Sequence, residues 1–415
     1  MPLDLPPDTT TSGEEFFRTE GTYTGLGAPI PGGRIDRWIL GEGPHIDSHV
    51  EFFDELCWRL LGEGVSVRRA TLNAGTLHPL IRGIGARWLR DLNVIEDFRI
   101  LHGSEATDEY LHSPIRATIE RGTPFRRRLD AEIPEYPLLE KLRKAGATEY
   151  FALALNRTFK TYPVVTWATD RPRGFSDADI TALEDINPAL AAIVETRVVR
   201  RISANLLDTY FGPEAGRRIL AGQIRRAEGE RLRAVVMMTD MRGFTALSDR
   251  LPGDEVITLL DDYFDAFATP IQERKGEILK FMGDGMLAIF PAADDDDFST
   301  SSVRALEAAT EGLERLDAVN NARRSTGRSE LRTGIGLHLG EVIYGNVGTV
   351  GRLDFTVIGP AVNLASRLEE LTKRLLRPML FSADFARVCP RPLVSLGFQP
   401  VRGLIFPEEV FGLPD

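Results

Sequence analysis

The sequence predicts a mixed α/β (α+β) protein of two folded units joined by a long helix. Three observations lead there. From about residue 232 the order is strand, helix, hairpin, helix, strand, the pattern of a ferredoxin-like core with additions. Between about 40 and 170, short strands interleave with short helices. Between these regions, from Ser176 onward, apolar residues recur at spacings of three and four.

Residues 1–33 are rich in Gly, Pro and Thr and end in GAPIPGG, the composition of a flexible arm. Residues 34–172 form the first domain. IDSHVEFFDELCWRLLGEG reads as a helix with a Gly stop, VSVRRATL as a strand, and EDFRILHG, PFRRRL, TEYFALALN and TYPVVTWATD as further strands. SPIRATIERG and PLLEKLRKAG supply helices between some of them. Residues 173–231 are a helical linker. Ser176 is placed as an N-cap, and Ile180, Leu183, Ile186, Leu190 and Ile193 follow as one stripe. The stripe fits a helix on its own domain or a short parallel coiled coil, kinked at Pro188 and interrupted by Arg197, Arg200 and Arg201.

Residues 232–415 form the second domain. LRAVVMMTD is a continuous apolar strand closing on an acid, and GDEVITLLDDYFDAFATPIQERKG is an amphipathic helix. EILKFMGDGMLAIFP is a hairpin; a helix near 302–323, strands in LRTGIGLHLGEV and LDFTVIG, and a helix in AVNLASRLEELTKRLL complete a sheet with helices on one face.

The net charge of -11 over 415 residues argues against a general nucleic-acid binder, which needs a basic surface to replace counterions. Cys57 and Cys389 are the only cysteines, so no disulfide framework is expected and a reducing compartment is. No stretch approaches the roughly 20 apolar residues of a membrane span, and the acidic N-terminus is unlike a signal peptide. A cytoplasmic location is the expectation.

Asp240 closes the first strand of the second domain, and Asp284 sits at the hairpin tip. As neighbours in a ferredoxin-like sheet they converge at one edge. Two carboxylates without His or Cys suit hard cations, Mg2+ or Mn2+, shared with substrate phosphates; two such ions activate a hydroxyl and stabilise a leaving pyrophosphate. Backbone N–H groups from Met241 to Thr245 form a candidate nest for phosphate oxygens, which brings in Phe244 and Thr245, with Met241 beside the metal acids. Taken singly these residues also have ordinary readings. Asp240 suits a helix-initiating turn, Lys280 a strand edge, Arg367 an ion pair with Glu370, and Asn363 local helix hydrogen bonds.

VVMMTDMRGFTALSDRL, GEILKFMGDGMLAIFP and FTVIGPAVNLASRLE, in that order, resemble the signature blocks of class III nucleotidyl cyclases, across about 232 to 412. The resemblance implies an adenylate cyclase that converts ATP to 3′,5′-cyclic AMP and pyrophosphate at the interface of an obligate homodimer with two composite sites. Asp240 and Asp284 match the metal acids, and Lys280 matches the purine reader that is Lys in adenylate and Glu in guanylate cyclases. Thr356 falls at the second purine-reading position, Asn363 matches the ribose-orienting residue, and Arg367 the residue that stabilises the pentavalent phosphorus. Arg332 matches a phosphate contact, and Arg402 stands where Lys is usual. Guanylate cyclase is the nearby alternative, against which Lys280 argues. A catalytically silent nucleotide-binding regulator is the other, and no acid, Asn or Arg is missing to favour it.

Residues 34–172 resemble a GAF-type sensor, a module this family often places before its catalytic domain, which implies regulation by a small-molecule or protein signal. His45, His49, His78, His102 and His112 are read as ordinary surface or core histidines rather than metal ligands. TLHPLIRGIGARW, with His78 and Trp88, is the expected pocket wall.

Overall fold

The computed structural model describes residues 17–130, 135–155, 163–226, 229–292, 297–403 and 405–414, so residues 1–16 of the expected arm lie outside it. The chain divides into two compact units, residues 1–209 and 210–415.

In the first unit the order is β1 (Phe17–Thr24), α1 (Ile35–Gly41), α2 (His49–Gly62), β2 (Arg69–Gly75), β3 (Ile81–Leu89) and β4 (Val94–Leu101). Then come α3 (Asp108–Leu111), α4 (Pro114–Arg121), β5 (Phe125–Arg128), α5 (Pro137–Lys144), β6 (Glu149–Ala154), β7 (Val164–Thr169), α6 (Asp177–Asp185) and α7 (Asn187–Phe211). The strands form one antiparallel sheet in the order β1-β4-β3-β2-β7-β6-β5. Part of the expected arm is therefore a strand, because residues 17–24 pair along β4. The stripe Leu183, Ile186, Leu190 and Ile193 is buried in this unit's own core with Phe52, Phe53 and Trp88. It covers the sheet rather than forming a seam with a partner. Pro188 does not kink a helix interior: α6 ends before Ile186, and Pro188 stands in the first turn of α7, where its missing N–H costs nothing. Ser176 caps α6 in a capping box with Asp179. The buried carboxylate of Asp54 accepts the indole N–H groups of Trp58 (3.0 Å) and Trp88 (2.8 Å), so Trp88 is a core residue.

The second unit runs α8 (Pro213–Leu220), β8 (Gly229–Met241), α9 (Phe244–Ser248), α10 (Gly253–Glu273), β9 (Glu277–Met282), β10 (Gly285–Ala292), α11 (Asp297–Ser325), β11 (Thr333–Thr349), β12 (Arg352–Ile358), α12 (Pro360–Leu375), β13 (Met379–Ser382), α13 (Ala383–Val388), β14 (Val394–Gln399) and β15 (Glu408–Gly412). The sheet order is β14-β15-β13-β11-β8-β10-β9, with β12 folded onto β11. Its heart, β11-β8-β10-β9, is the fourth, first, third and second strand of a ferredoxin-like unit, as expected. Helices cover both faces rather than one. Val235 and Met237 of β8 face the helices α10 and α11, while Ala234, Val236 and Met238 face α8 and α12. A strand buried on both sides has no polar face to show, which is why VVMM is continuous.

The approach of α12 to β11 depends on the glycines of GIG. A Cβ on Gly336 would come 2.2 Å from the carbonyl oxygen of Ala365, and one on Gly334 2.3 Å from Thr372 Oγ1. Small residues on this strand let the helix settle directly on the sheet.

His338 of β11 is buried, with Nδ1 2.8 Å from Ser382 Oγ. Burial pushes its pKa down to about 4. The unfolded chain takes this proton near pH 6.5, while the folded unit resists it until about pH 4. Stability is therefore lost as pH falls across that window, by up to about 1.4 kcal/mol per pH unit. All four tryptophans (Trp38, Trp58, Trp88, Trp167) lie in the first unit, so indole fluorescence reports that unit alone. Urea unfolding of the full chain at pH 7, 6 and 5 should show the circular-dichroism transition that fluorescence misses moving to lower urea, and His338→Gln should flatten that trend.

Candidate active site

Asp240 occupies the end of the central strand. Its neighbours across the sheet are Gly285 of β10 and Gly334 of β11. The β9–β10 hairpin closes with Met282 opposite Gly285, so Gly283-Asp284 is a two-residue turn, and Gly283 takes the left-handed φ of +65° that such a turn demands. The N–H of Met241 donates to the carbonyl oxygen of Asp284 at 3.2 Å, pinning the tip against the end of β8. The expected convergence of Asp240 and Asp284 is thus produced by register. Burial, together with the neighbouring charge of Asp240, holds the Asp284 carboxyl above the ordinary carboxylate range.

Two residues of α12, not anticipated from the sequence, complete this end. Lys373 Nζ donates to Asp240 Oδ2 at 3.1 Å. Glu369 is buried, its Oε1 has no partner, and burial plus the charge of Asp240 pushes its pKa up to about 7. The LEELTK segment carries both at a spacing of four, a pattern open to the ordinary reading of a solvated helix face.

The donor set fits a hard divalent cation. It offers carboxylate oxygens, an excess of negative charge and an orphaned buried carboxylate oxygen. Among the described residues no group of three or more His, Cys, Asp and Glu is arranged to hold a metal. Ions here would rely on the two carboxylates, on the main chain of Met241 (its side chain is buried in the core) and on substrate phosphates.

The phosphate nest is narrower than the sequence implies. The N–H of Met241 goes to Asp284 and that of Arg242 to the carbonyl oxygen of Arg332, at 2.8 Å. Gly243, Phe244 and Thr245 remain, at the start of α9, where the first helical N–H groups lack intrahelical acceptors. The Phe244 side chain packs on the core, so only its backbone faces this role; Thr245 is exposed. Arg332 is exposed immediately before β11, at the same end of the sheet as the acids.

A second group gathers elsewhere. A β-bulge falls at Leu279, between the pairs Lys280–Leu287 and Ile278–Ala288, and re-aims the side chains around it. Lys280 Nζ donates to Asp354 Oδ2 of β12. Thr356 lies two residues beyond Asp354 and so on the same face of β12. Asp354, in LDFTVIG, is a further residue that motif reading passed over. Lys280 stands two residues before Met282, where β9 ends and the turn carrying Asp284 begins, and its ammonium is engaged with β12 rather than with the acids.

Asn363 and Arg367 share one face of α12, Asn363 exposed, Arg367 paired with Glu370 at 2.7 Å as its ordinary reading has it. That exposed pair is weak and easily exchanged. At 100° per residue, Asn363 and Arg367 lie roughly 120° around the helix from Glu369 and Lys373. One face of α12 therefore addresses the unit's own acids while the other points away from them. Arg402 is exposed in the turn before β15, and none of the other candidate residues is placed against it among the described residues.

Replacing Lys373 by Met removes the one cation seen on Asp240. Divalent ions should then bind tighter, by about tenfold for the loss of a competing ion pair. Mn2+ titrations of the full chain followed by electron paramagnetic resonance test this, and the variant should be less stable than the parent in EDTA.

The family model described as "Adenylate and Guanylate cyclase catalytic domain" matches residues 229–375. Adenylate cyclase 1 of Rhizobium meliloti (strain 1021) is 31% identical over 258 residues, 61% of this chain and 38% of its own length. The adenylate cyclase of Anabaena cylindrica is 36% identical over 212 residues, 48% of this chain and 41% of its own length. The chain thus spans about two fifths of these relatives. A crystal structure of an adenylyl cyclase from P. aeruginosa superposes with a TM-score of 0.41 at 26% identity, over 45% of this chain and 96% of that one. Residues 229–375 thus match the model of the adenylate and guanylate cyclase catalytic domain, and the two sequence relatives are adenylate cyclases.

Proposed function

We propose that the chain is an adenylate cyclase that works as a homodimer, each site drawing on both protomers. The observation that carries this reading is the separation, within one unit, of the acid pair Asp240 and Asp284 from Lys280, Thr356, Asn363 and Arg367. A substrate bound to one protomer's acids needs the second set from elsewhere, and an antiparallel copy supplies it. Phe281, Met282, Val347 and Ile358, exposed on β9, β11 and β12, offer an uncovered apolar surface beside the second set.

In this site the ribose 3′-hydroxyl attacks the α-phosphorus of ATP, the bond to the β-phosphate oxygen breaks, and pyrophosphate leaves. Asp240 and Asp284 would hold divalent ions, whose chemistry there would be to acidify the hydroxyl and neutralise the departing charge. Lys280 donates to N1 of adenine, and the Thr356 hydroxyl accepts from the adenine amino group. Asn363 orients the ribose. Arg367 exchanges Glu370 for the pentavalent phosphorus, where its charge counts most. Arg332, Arg402 and the backbone at Phe244 and Thr245 hold the remaining phosphate oxygens. The first unit, GAF-like in its sequence, acts as the sensor that sets activity.

Purified protein with Mn2+ or Mg2+ should turn ATP into cyclic AMP. Asp284→Ala and Arg367→Ala should each be nearly inactive, yet a refolded equimolar mixture should recover about a quarter of parental activity, since half the dimers hold one intact site. A mixture no better than its components sinks the composite site, and nucleotide binding without any cyclic product would make the chain a silent regulator.

Base preference should follow the Lys280 and Thr356 positions. In Lys280→Glu/Thr356→Cys the ratio of kcat/KM for ATP over GTP should fall by about a hundredfold, as expected when two hydrogen-bonding positions change sense. An unchanged ratio would place base selection elsewhere.

A further inference from the structure

The first unit carries a half-open pocket of about 450 Å3 that the cyclase reaction does not use. Its position differs from the pocket expected from the sequence: of that segment Ile84 and Gly85 line it, but not His78 or Trp88. Phe52 of α2, Leu72 of β2, Ile84 of β3 and Val194 and Val198 of α7 give it apolar walls. A pocket in this size range encloses most of a small organic molecule, and apolar walls select a body of hydrocarbon or aromatic carbon.

The charged groups at this pocket are mostly positive. Arg197, Arg200 and Arg201 of α7 line it, at spacings that set them on one side of the helix, against the single acid Asp47. His49 also lines it, but its Nε2 is engaged with Asp97 Oδ1 at 3.2 Å. Arg197 is held over the Phe52 ring at 4.9 Å, and its terminal nitrogens donate to the carbonyl oxygens of Gly43 (2.7 Å), Ile46 and Asp47 (3.2 Å). Its Nε is buried with no partner. A buried donor without an acceptor costs free energy. Burial lowers the Arg197 pKa, the charge of Asp47 opposes that, and the charge of Arg200 adds to it.

We propose that this cavity binds an amphipathic monoanion, a carboxylate with an apolar body, whose head group meets the arginines of α7 and whose body lies on Phe52, Leu72 and Ile84. A carboxylate satisfies guanidinium geometry with two hydrogen bonds, while a phosphodiester nucleotide brings a polar sugar and purine edge for which these apolar walls offer few partners. Many of the lining residues belong to α7, the helix that leads in sequence to the catalytic unit, so an occupant ties α7 to the segment between α1 and α2.

The test uses the full chain with decanoate, decan-1-ol and cyclic AMP as probes. Trp38 stacks on Phe52 at 5.4 Å between ring centroids, so indole fluorescence reports occupancy without any reference to catalysis. Decanoate should bind with one-to-one stoichiometry by calorimetry, about tenfold more tightly than decan-1-ol, the worth of one charge-assisted contact. Arg200→Gln/Arg201→Gln changes only exposed side chains and should abolish that preference, and Ile84→Phe should block binding by filling the cavity. Equal affinity for the alcohol, decanoate binding unchanged in Ile84→Phe, or cyclic AMP displacing decanoate at lower concentration would each overturn the proposal.

Discussion

The repulsion between Asp240 and Asp284 is the constraint around which the catalytic unit is arranged. Sheet register alone brings the two carboxylates together, since Gly285 and Gly334 flank Asp240 and the Met241 N–H clasps the tip that carries Asp284. Such a cluster is tolerable only with positive charge at hand. Lys373 of α12 supplies such a charge at Asp240, and Glu369 keeps an unpartnered oxygen beside it. The glycines of β11 that let α12 lie so close are part of the same arrangement, because a helix held further off would not deliver Lys373 to Asp240.

Much of this was legible in the sequence because it is written in short-range chemistry. Asp-Gly at a hairpin tip, an acid closing a buried strand, and a run of apolar residues without alternation each have a local physical cause. So does the N-cap at Ser176. Strand order followed once the elements were ordered along the chain.

What escaped notice depends on contacts between residues far apart in sequence. Lys373 meets Asp240 across 133 positions, and Asp354 meets Lys280 across 74. On α12, Glu369 and Lys373 look like any charged helix surface until β8 lies beneath them. The stripe from Leu183 to Ile193 is equally compatible with a partner helix or a sheet; only the sheet's presence in the first unit decides it. Residues 17–24 have the composition of an arm, and they become a strand because the edge of β4 is there to pair with. Cavities are the extreme case, since they are defined by atoms that are missing between elements.

Helix α12 is a rigid rod of 16 residues, and it serves two masters. Its inner flank holds the counterion of the acids beside it, and six residues earlier its outer flank carries Arg367, which in the proposed dimer belongs to the opposite reaction centre. A rod transmits displacement. When Lys373 gives up Asp240, any shift of the helix is felt by Arg367 about 9 Å along the axis. In the proposed dimer the two centres would then be linked thermodynamically, and such linkage is reciprocal: filling one would alter the readiness of the other by the same free energy in either direction.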